Sequence, residues 1–226
     1  MLDAALAAGV RPPIARCQGV GSRPAVAGSD TEGVLTPVTA GHAFGMPVAT
    51  TTRGFTVLPG LVPAEAIERT LRHLHLDLVR NGAPADRLAG WLWSAHWFPH
   101  LKWDDEVVGL LEHLPETLRS GELCDPQLLL QPPDDCEDVE LTPHVDAEPE
   151  WASGRPYLRI LGIALTPNRR SNGGLVVWPL DGADPVAVEL DPGDVVVMDP
   201  TLPHTSGLNR DGAIRYAAYF RFLTPA

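Results

Sequence analysis

The chain has 226 residues, of which 44% are hydrophobic, and carries a formal net charge of −12. This length suits one sizeable domain with its own core, and the hydrophobic content is ordinary for a globular protein. Nucleic-acid binding depends largely on Lys and Arg neutralising backbone phosphates, so an acidic chain is a poor candidate for it. We predict a folded, soluble protein without a nucleic-acid partner.

The cysteines and the amino terminus indicate the compartment. Cys17, Cys124 and Cys136 are odd in number and lack the spacing of a zinc site, which favours reduced thiols in an intracellular protein. The first residues lack the basic start of a signal peptide, and no apolar run approaches the roughly 20 residues that span a bilayer. We predict a cytoplasmic protein with no membrane partner, and nothing in the sequence implies a protein partner.

The first elements are a strand and a helix. Residues 1–50 are rich in small residues without periodicity, and we predict a loosely ordered extension ahead of one domain over 51–226. GFTVLPG at 54–60 indicates an edge strand or the first strand of that domain. Pro63 suits the first turn of a helix, and Asn81-Gly82 offers its end. Apolar residues recur between them at helical spacing: Ile67, Leu71, Leu74 and Leu78.

A second helix is predicted to begin at Asp104, which is a suitable N-cap, and to end at Pro115. Together the helices would support the domain over residues 63–120. The segment WLWSAHWFPHLKW at 91–103 lies between them. Its aromatic side chains favour packing against a sheet over lining a substrate pocket, and His96 and His100 share that ambiguity.

From Gln127 onward, short β-type runs alternate with turn-forming residues. Many short strands without intervening helices indicate antiparallel pairing in a sandwich or closed roll. The predicted fold class is therefore mostly β with N-terminal helices. The runs are QLLLQ, LTPHV, YLRILGIALT, GGLVVWP, VAVEL, DVVVMD and IRYAAYFRFL.

Three residues form a candidate metal site. In TPHVDAEPEW at 142–151, His144 and Asp146 are two residues apart, so on a strand they share a face. His204 follows the apolar run after Gly193-Asp194 by a few residues. Two histidines and one carboxylate with open positions are the ligand set of non-haem Fe(II) oxygenases. The open positions accommodate a chelating cosubstrate and O₂.

A 2-oxoglutarate cosubstrate needs a fixed cation for its distal carboxylate, and arginine bonds a carboxylate through its planar fork. Arg215 lies eleven residues beyond His204 on the next predicted strand, and Ser206 offers a hydroxyl. Arg221 is a rival on the same strand face, but its position near the far end makes it the weaker candidate.

Other strand residues are less specific candidates. Gln127 and Gln131 share a strand face, so one of them is a candidate contact for cosubstrate or substrate, and a solvent-facing amide is an equal alternative. Trp151 is a candidate pocket wall or a core residue. We expect no more than one of four further strand residues to point into the roll: Tyr157, Arg159, Tyr216 and Tyr219.

These pieces resemble the phytanoyl-CoA dioxygenase family of Fe(II)/2-oxoglutarate-dependent oxygenases. The resemblance rests on GFTVLPG, PHVD, NGGLVVWP and PHTSGLN with the arginine that follows, and it covers most of residues 54–223. It implies a double-stranded β-helix (a cupin-like jelly roll) with iron on His144, Asp146 and His204, and 2-oxoglutarate on Arg215 and Ser206. It also implies a structural role for Asn209. The related halogenases have a small residue in place of Asp146.

The resemblance therefore implies hydroxylation or another oxidation over halogenation. We predict an oxygenase that hydroxylates a small molecule and releases succinate and CO₂. The acidic run at 133–140 would attract an amine-bearing substrate if it borders the pocket, although a solvated turn is the simpler interpretation. One alternative is a cupin-like metal-binding isomerase or sensor without redox chemistry, which would not need Arg215 and Ser206. A zinc hydrolase is a further alternative, but the chain lacks an HExxH motif to supply the general base.

Overall fold

The computed structural model describes residues 51–80, 92–93, 103–133, 142–146 and 155–224. Within these ranges the helices are α1 (Ala64–Arg80), α2 (Asp105–Val108), a 3₁₀ helix (Gly109–His113) and α3 (Glu116–Arg119). The strands are β1 (Phe55–Leu58), β2 (Leu92–Trp93), β3 (Glu122–Gln131), β4 (Tyr157–Ala164), β5 (Leu175–Val177), β6 (Val186–Ala187), β7 (Val195–Met198), β8 (His204–Ser206) and β9 (Arg215–Leu223). None of the described helices combines the length and apolarity needed to cross a membrane.

Several predictions fall outside the described residues. They are the extension at 1–50, the helix end at Asn81-Gly82, most of the aromatic segment with His96 and His100, the acidic run beyond Pro133, and Trp151.

The strands form two antiparallel sheets. Six strands pair in the order β1-β7-β4-β9-β3-β2, and three pair in the order β6-β5-β8. Among the described strands β1 pairs along β7 and ends the order of the larger sheet, so GFTVLPG forms a strand, as predicted. The mostly-β class with antiparallel pairing and preceding helices is likewise confirmed.

The alternation of side chains along β9 separates the two faces of the larger sheet. Tyr216, Ala218, Phe220 and Phe222 join the buried cluster that includes the apolar side chains of α1. Because side chains alternate along a strand, the intervening residues face the other way, towards the smaller sheet. That inner face is lined by a second cluster, in which strands of the larger sheet meet β5 of the smaller one. The inner face of β9 carries both predicted arginines.

The first predicted helix is confirmed by α1, a helix of 17 residues with Glu65 in its first turn and Arg80 in its last. The second is only partly correct. Asp104 caps α2 through a hydrogen bond from the Glu106 amide to its carboxylate, at 2.9 Å, but the α-helix ends after Val108 and tightens into the 3₁₀ helix. The change begins at Gly109, a residue that weakens an α-helix by about 1 kcal/mol relative to alanine.

Leu74 and Leu76 on α1 make a matched pair for testing how the helix is held. The Leu74 side chain is fully buried in the cluster beneath the helix, whereas Leu76 is 45% exposed. We expect Leu74→Ala to lower the free energy of unfolding by about 2–5 kcal/mol because it opens a cavity in a packed core. Leu76→Ala should change it by about 0.5 kcal/mol or less. Denaturant unfolding of both variants measures the difference, and equal losses would contradict this packing.

Candidate metal centre

His204 stands at the start of β8, where the chain turns back from the buried strand β7. Its backbone pairs with Val177 of β5, and its ring is almost buried. The ring Nδ1 lies 2.9 Å from the carbonyl oxygen of Leu202. A carbonyl oxygen only accepts hydrogen bonds, so Nδ1 carries a proton, and in the neutral ring Nε2 keeps the lone pair. This is the tautomer that a metal ligand requires.

The segment that carries the His144-x-Asp146 motif reaches His204 through a single bridge. The two histidines exchange backbone hydrogen bonds of 3.0 and 2.9 Å, in antiparallel sense. The predicted LTPHV strand is therefore reduced to this bridge within residues 142–146. Pro143 has no N–H to donate, which limits ladder formation next to His144.

The three side chains converge on one point. One ligand atom from each of His144, Asp146 and His204 lies within 4.8 Å of the others. The Nε2 of His144 is 3.9 Å from Oδ1 of Asp146, and the Nε2 of His204 is 3.8 Å from Oδ2. Two imidazoles and a carboxylate form an appropriate donor set for a divalent transition metal.

Desolvation, followed by the neighbouring imidazole of His204, lowers the pKa of His144. A lowered pKa favours the neutral ring, which is the form that binds a metal. His144 is the most exposed of the three, with half of its side-chain surface accessible. The metal position is therefore open to solvent on the His144 side.

A cavity of about 210 Å³ adjoins the three residues. Besides them it is lined by Gln127, Leu129, Leu175, Thr205, Ser206, Tyr219 and Arg221. Of the four strand residues considered for the interior, Tyr219 lines this cavity, whereas Tyr216 packs on the helix side.

Arg215 is buried behind the cavity, with 1% of its surface exposed. Its Nη1 donates to Oδ1 of Asn168 at 2.8 Å, and its Nη2 donates to Oε1 of Gln131 at 2.7 Å and to Oγ of Ser206 at 3.2 Å. All three acceptors are neutral. Desolvation lowers the pKa of Arg215, and the neighbouring Tyr219 hydroxyl partly opposes that shift.

Gln131 is itself held in place on three sides. Its amide Nε2 donates to the carbonyl oxygen of Gly207, and its backbone carbonyl accepts from Nδ2 of Asn209 at 2.7 Å. Gly173 leaves the space that the Gln131 amide fills, because a Cβ there would lie 2.7 Å from Gln131 Cδ. Asn209 is fully buried and bonded in this way, consistent with the structural role implied by the resemblance.

Gly173→Ala tests how tightly Gln131, which accepts hydrogen bonds from Arg215, is packed. Gly173 has φ +75°, and Gly182 has the similar φ of +80° but no atoms within 4 Å of an added Cβ. Gly182→Ala therefore reports the backbone strain alone, whereas Gly173→Ala adds a clash with Gln131. We expect Gly173→Ala to lower the free energy of unfolding by about 1–3 kcal/mol more than Gly182→Ala. Denaturant unfolding measures this, and equal losses would show that Gln131 yields without cost.

Arg221 lies at the other end of the cavity from Arg215. Its Nε and Nη2 both donate to Oδ2 of Asp146, at 2.9 and 2.6 Å, and its Nη1 donates to Oε1 of Gln127 at 3.0 Å. The two arginines considered for the cosubstrate thus have different neighbours. One contacts the carboxylate of the candidate metal site, and the other contacts neutral amides.

Comparison with known proteins identifies solved structures that share the fold. No protein-family model matches the chain, and no curated protein sequence matches it. Solved structures of similar fold include three that superimpose on 76–77% of the chain. The non-heme monooxygenase ThoJ in a nickel complex has a TM-score of 0.54 and 23% identity, over 75% of its own length. EvdO2 of Micromonospora carbonacea var. aurantiaca, complexed with 2-oxoglutarate, has a TM-score of 0.53 and 19% identity, over 87% of its length.

The third is the epimerase SnoN from nogalamycin biosynthesis, in complex with Fe³⁺, alpha ketoglutarate and nogalamycin RO. Its TM-score is 0.51 at 17% identity, over 79% of its length. The chain has the fold of non-haem, 2-oxoglutarate-dependent enzymes. At these identities the likeness concerns the fold alone, and neighbours of this fold include both a monooxygenase and an epimerase.

Within this fold the sequence-based candidates separate into two groups. His144, Asp146, His204, Ser206 and Gln127 line the cavity, whereas Arg215 and Gln131 lie behind it. Asn168, which also holds Arg215, was not a candidate. It belongs to the NRRSNGG turn, and an asparagine in a turn gives no signal beyond the turn itself.

Proposed function

We propose that this protein is an Fe(II)/2-oxoglutarate-dependent dioxygenase of the phytanoyl-CoA dioxygenase type, built on a double-stranded β-helix, that hydroxylates a small molecule. The reaction would consume O₂ and release succinate and CO₂. The shared fold, the three convergent ligand residues and the buried arginine support this proposal.

The observation that carries the proposal is the environment of Arg215. A buried guanidinium loses its hydration, and neutral hydrogen-bond acceptors replace only part of what an anion would give. Asn168, Gln131 and Ser206 hold the planar group in place without neutralising it. A carboxylate that entered the cavity beside Ser206 would supply the missing negative charge. The distal carboxylate of 2-oxoglutarate has the required charge and planar shape.

The metal would be held by His144, Asp146 and His204, whose donor atoms match the set used by non-haem Fe(II). Bound iron would activate O₂ with electrons supplied by oxidative decarboxylation of 2-oxoglutarate. Neighbouring groups of the protein orient two of these ligands. The Leu202 carbonyl fixes the tautomer of His204, and the Arg221 guanidinium fixes the carboxylate of Asp146.

The substrate is proposed to be a small molecule that enters from the open His144 side. The complex of SnoN with nogalamycin RO shows that a protein of this fold accommodates a natural product. Hydroxylation is favoured over halogenation because Asp146 occupies the position where a halogenase needs room for halide. The amine-bearing substrate suggested by the acidic run remains a prediction, since residues 134–140 lie outside the described part of the chain.

The test is metal-dependent turnover of 2-oxoglutarate. Protein stripped of metal and reloaded with Fe(II) should form succinate from 2-oxoglutarate, and a screen of natural-product intermediates and amines should reveal the substrate by a gain of one oxygen in mass. Calorimetry should show 2-oxoglutarate binding that needs the metal. Metal binding without any affinity for 2-oxoglutarate would instead support a cupin-like isomerase or sensor.

A further inference from the structure

The hydrogen bonds of Arg221 distinguish the two oxygens of the Asp146 carboxylate. Nε and Nη2 of the guanidinium both donate to Oδ2, at 2.9 and 2.6 Å. Oδ1 lies 3.9 Å from Nε2 of His144, and Oδ2 lies 3.8 Å from Nε2 of His204, so the hydrogen bonds from Arg221, and not distance to the histidines, distinguish the two oxygens. Gln127 accepts from Nη1 at 3.0 Å and so fixes the rotation of the guanidinium. The two carboxylate oxygens are therefore chemically different before any metal binds.

The ion pair between Arg221 and Asp146 is shielded from water. Arg221 and Asp146 have only 11% and 14% of their side-chain surfaces exposed, so water screens their attraction poorly. A carboxylate offers about two lone-pair positions on each oxygen, and two N–H donors fill those of Oδ2. Oδ1 is the oxygen that keeps its capacity to bind a cation.

We infer that Arg221 is a positioning residue: its two hydrogen bonds occupy Oδ2 of Asp146, so that Asp146 binds the metal through Oδ1 alone. This inference rests on the proposed function. Octahedral iron has six positions. Three single-atom ligands, a chelating 2-oxoglutarate and one gas molecule would fill all six. A carboxylate that bound through both oxygens would occupy the position that the gas needs once 2-oxoglutarate is bound.

The inference gives Arg221 a task distinct from that of Arg215, although both lie on the inner face of β9. Arg215 donates hydrogen bonds to neutral amides, so its charge can pair with an anionic ligand. Arg221 already donates to the carboxylate of Asp146. Charge alone would not accomplish this task. A nearby cation attracts both oxygens, and only directed N–H bonds select one of them.

The first experiment counts the carboxylate oxygens on the metal. The protein is loaded with Co(II), and crystal structures and X-ray absorption spectra are measured for the wild type, Arg221→Gln, Arg221→Lys and Arg159→Gln. Arg159 is the matched control, because it bonds Thr117 and Ser120 rather than any residue of the cavity. We expect one Asp146 oxygen at about 2.0–2.2 Å in the wild type and in the control, and two in Arg221→Gln.

Arg221→Lys should return the count to one, because its ammonium retains N–H donors for Oδ2. Two coordinated oxygens in the wild type, or one in Arg221→Gln, would overturn the inference while leaving the metal site intact. A wild type that binds no Co(II) would instead refute the proposed function, and the inference with it.

The second experiment uses nitric oxide as a stand-in for O₂ on the Fe(II) protein, detected by electron paramagnetic resonance. Without 2-oxoglutarate, the wild type and Arg221→Gln should bind nitric oxide equally, because both retain an open position. With saturating 2-oxoglutarate, we expect at least a tenfold loss of nitric oxide affinity in Arg221→Gln and none in Arg159→Gln. A misfolded variant would lose affinity in both conditions. Equal affinity with 2-oxoglutarate would overturn the inference.

Discussion

Asp146→Ala is expected to lower the affinity for divalent metal by at least about 100-fold. Loss of a residue that only orients a ligand typically costs about 10- to 100-fold, and Asp146 is proposed as a ligand itself. It is also the only anion among the three converging residues, so two neutral imidazoles would remain. The change further removes the acceptor of two Arg221 hydrogen bonds, which leaves a guanidinium charge beside the metal position. Calorimetry with Mn(II) or Co(II) measures the loss.

Two further variants identify the cause of that loss. Asp146→Asn keeps the shape of the side chain and an oxygen that can accept from Arg221, but it removes the charge, so it should also weaken metal binding. Asp184→Ala removes an exposed carboxylate in the turn before β6 and should leave the affinity unchanged. Thermal unfolding without metal checks that each variant is folded. Tight metal binding by Asp146→Ala would exclude the three-residue site.

The pattern of β9 shows how much of this architecture could be predicted. IRYAAYFRFL is rich in aromatic and apolar residues, which predicts a strand, and the even spacing places Arg215 and Arg221 on one face. The structure has that strand and that shared face. The run before His204 likewise gave a buried strand, β7. Strand existence and facing depend on local periodicity, which a sequence displays directly.

The partners of the two arginines could not be predicted in the same way. The neighbour of Arg221 depends on where the chain returns after Gln131, and a sequence does not show the path of a loop. Asn168 contacts Arg215 from a turn 47 residues away in sequence. The segment at 142–146 pairs with His204 by one bridge, which periodicity cannot distinguish from a full strand. Long-range geometry therefore decided what each polar residue contacts.

Arg215→Met is expected to remove most of the affinity for 2-oxoglutarate while retaining metal binding. Truncating one partner of a buried, hydrogen-bonded charge pair costs about 2–5 kcal/mol, and about 3 kcal/mol corresponds to roughly 100-fold in affinity. Met fills similar space, and Asn168 Oδ1 still accepts from the Leu175 amide, but Gln131 Oε1 loses its donor at a cost of about 1–3 kcal/mol. Thermal unfolding without ligand therefore checks that the variant is folded. Wild-type protein at about 100 times its dissociation constant should gain about 2.7 kcal/mol of stability from the ligand, and the variant should gain far less.

Pyruvate separates the role of Arg215 from a general loss of the site. Pyruvate has the keto-acid group that would chelate the metal but lacks the distal carboxylate proposed to meet Arg215. In the wild type, 2-oxoglutarate should bind the metal-loaded protein more tightly than pyruvate. In Arg215→Met, the affinity for 2-oxoglutarate should fall towards that for pyruvate, and the affinity for pyruvate should stay the same. Equal losses for both ligands would mean that the substitution had damaged the metal position, and an unchanged preference for 2-oxoglutarate would place its distal carboxylate elsewhere.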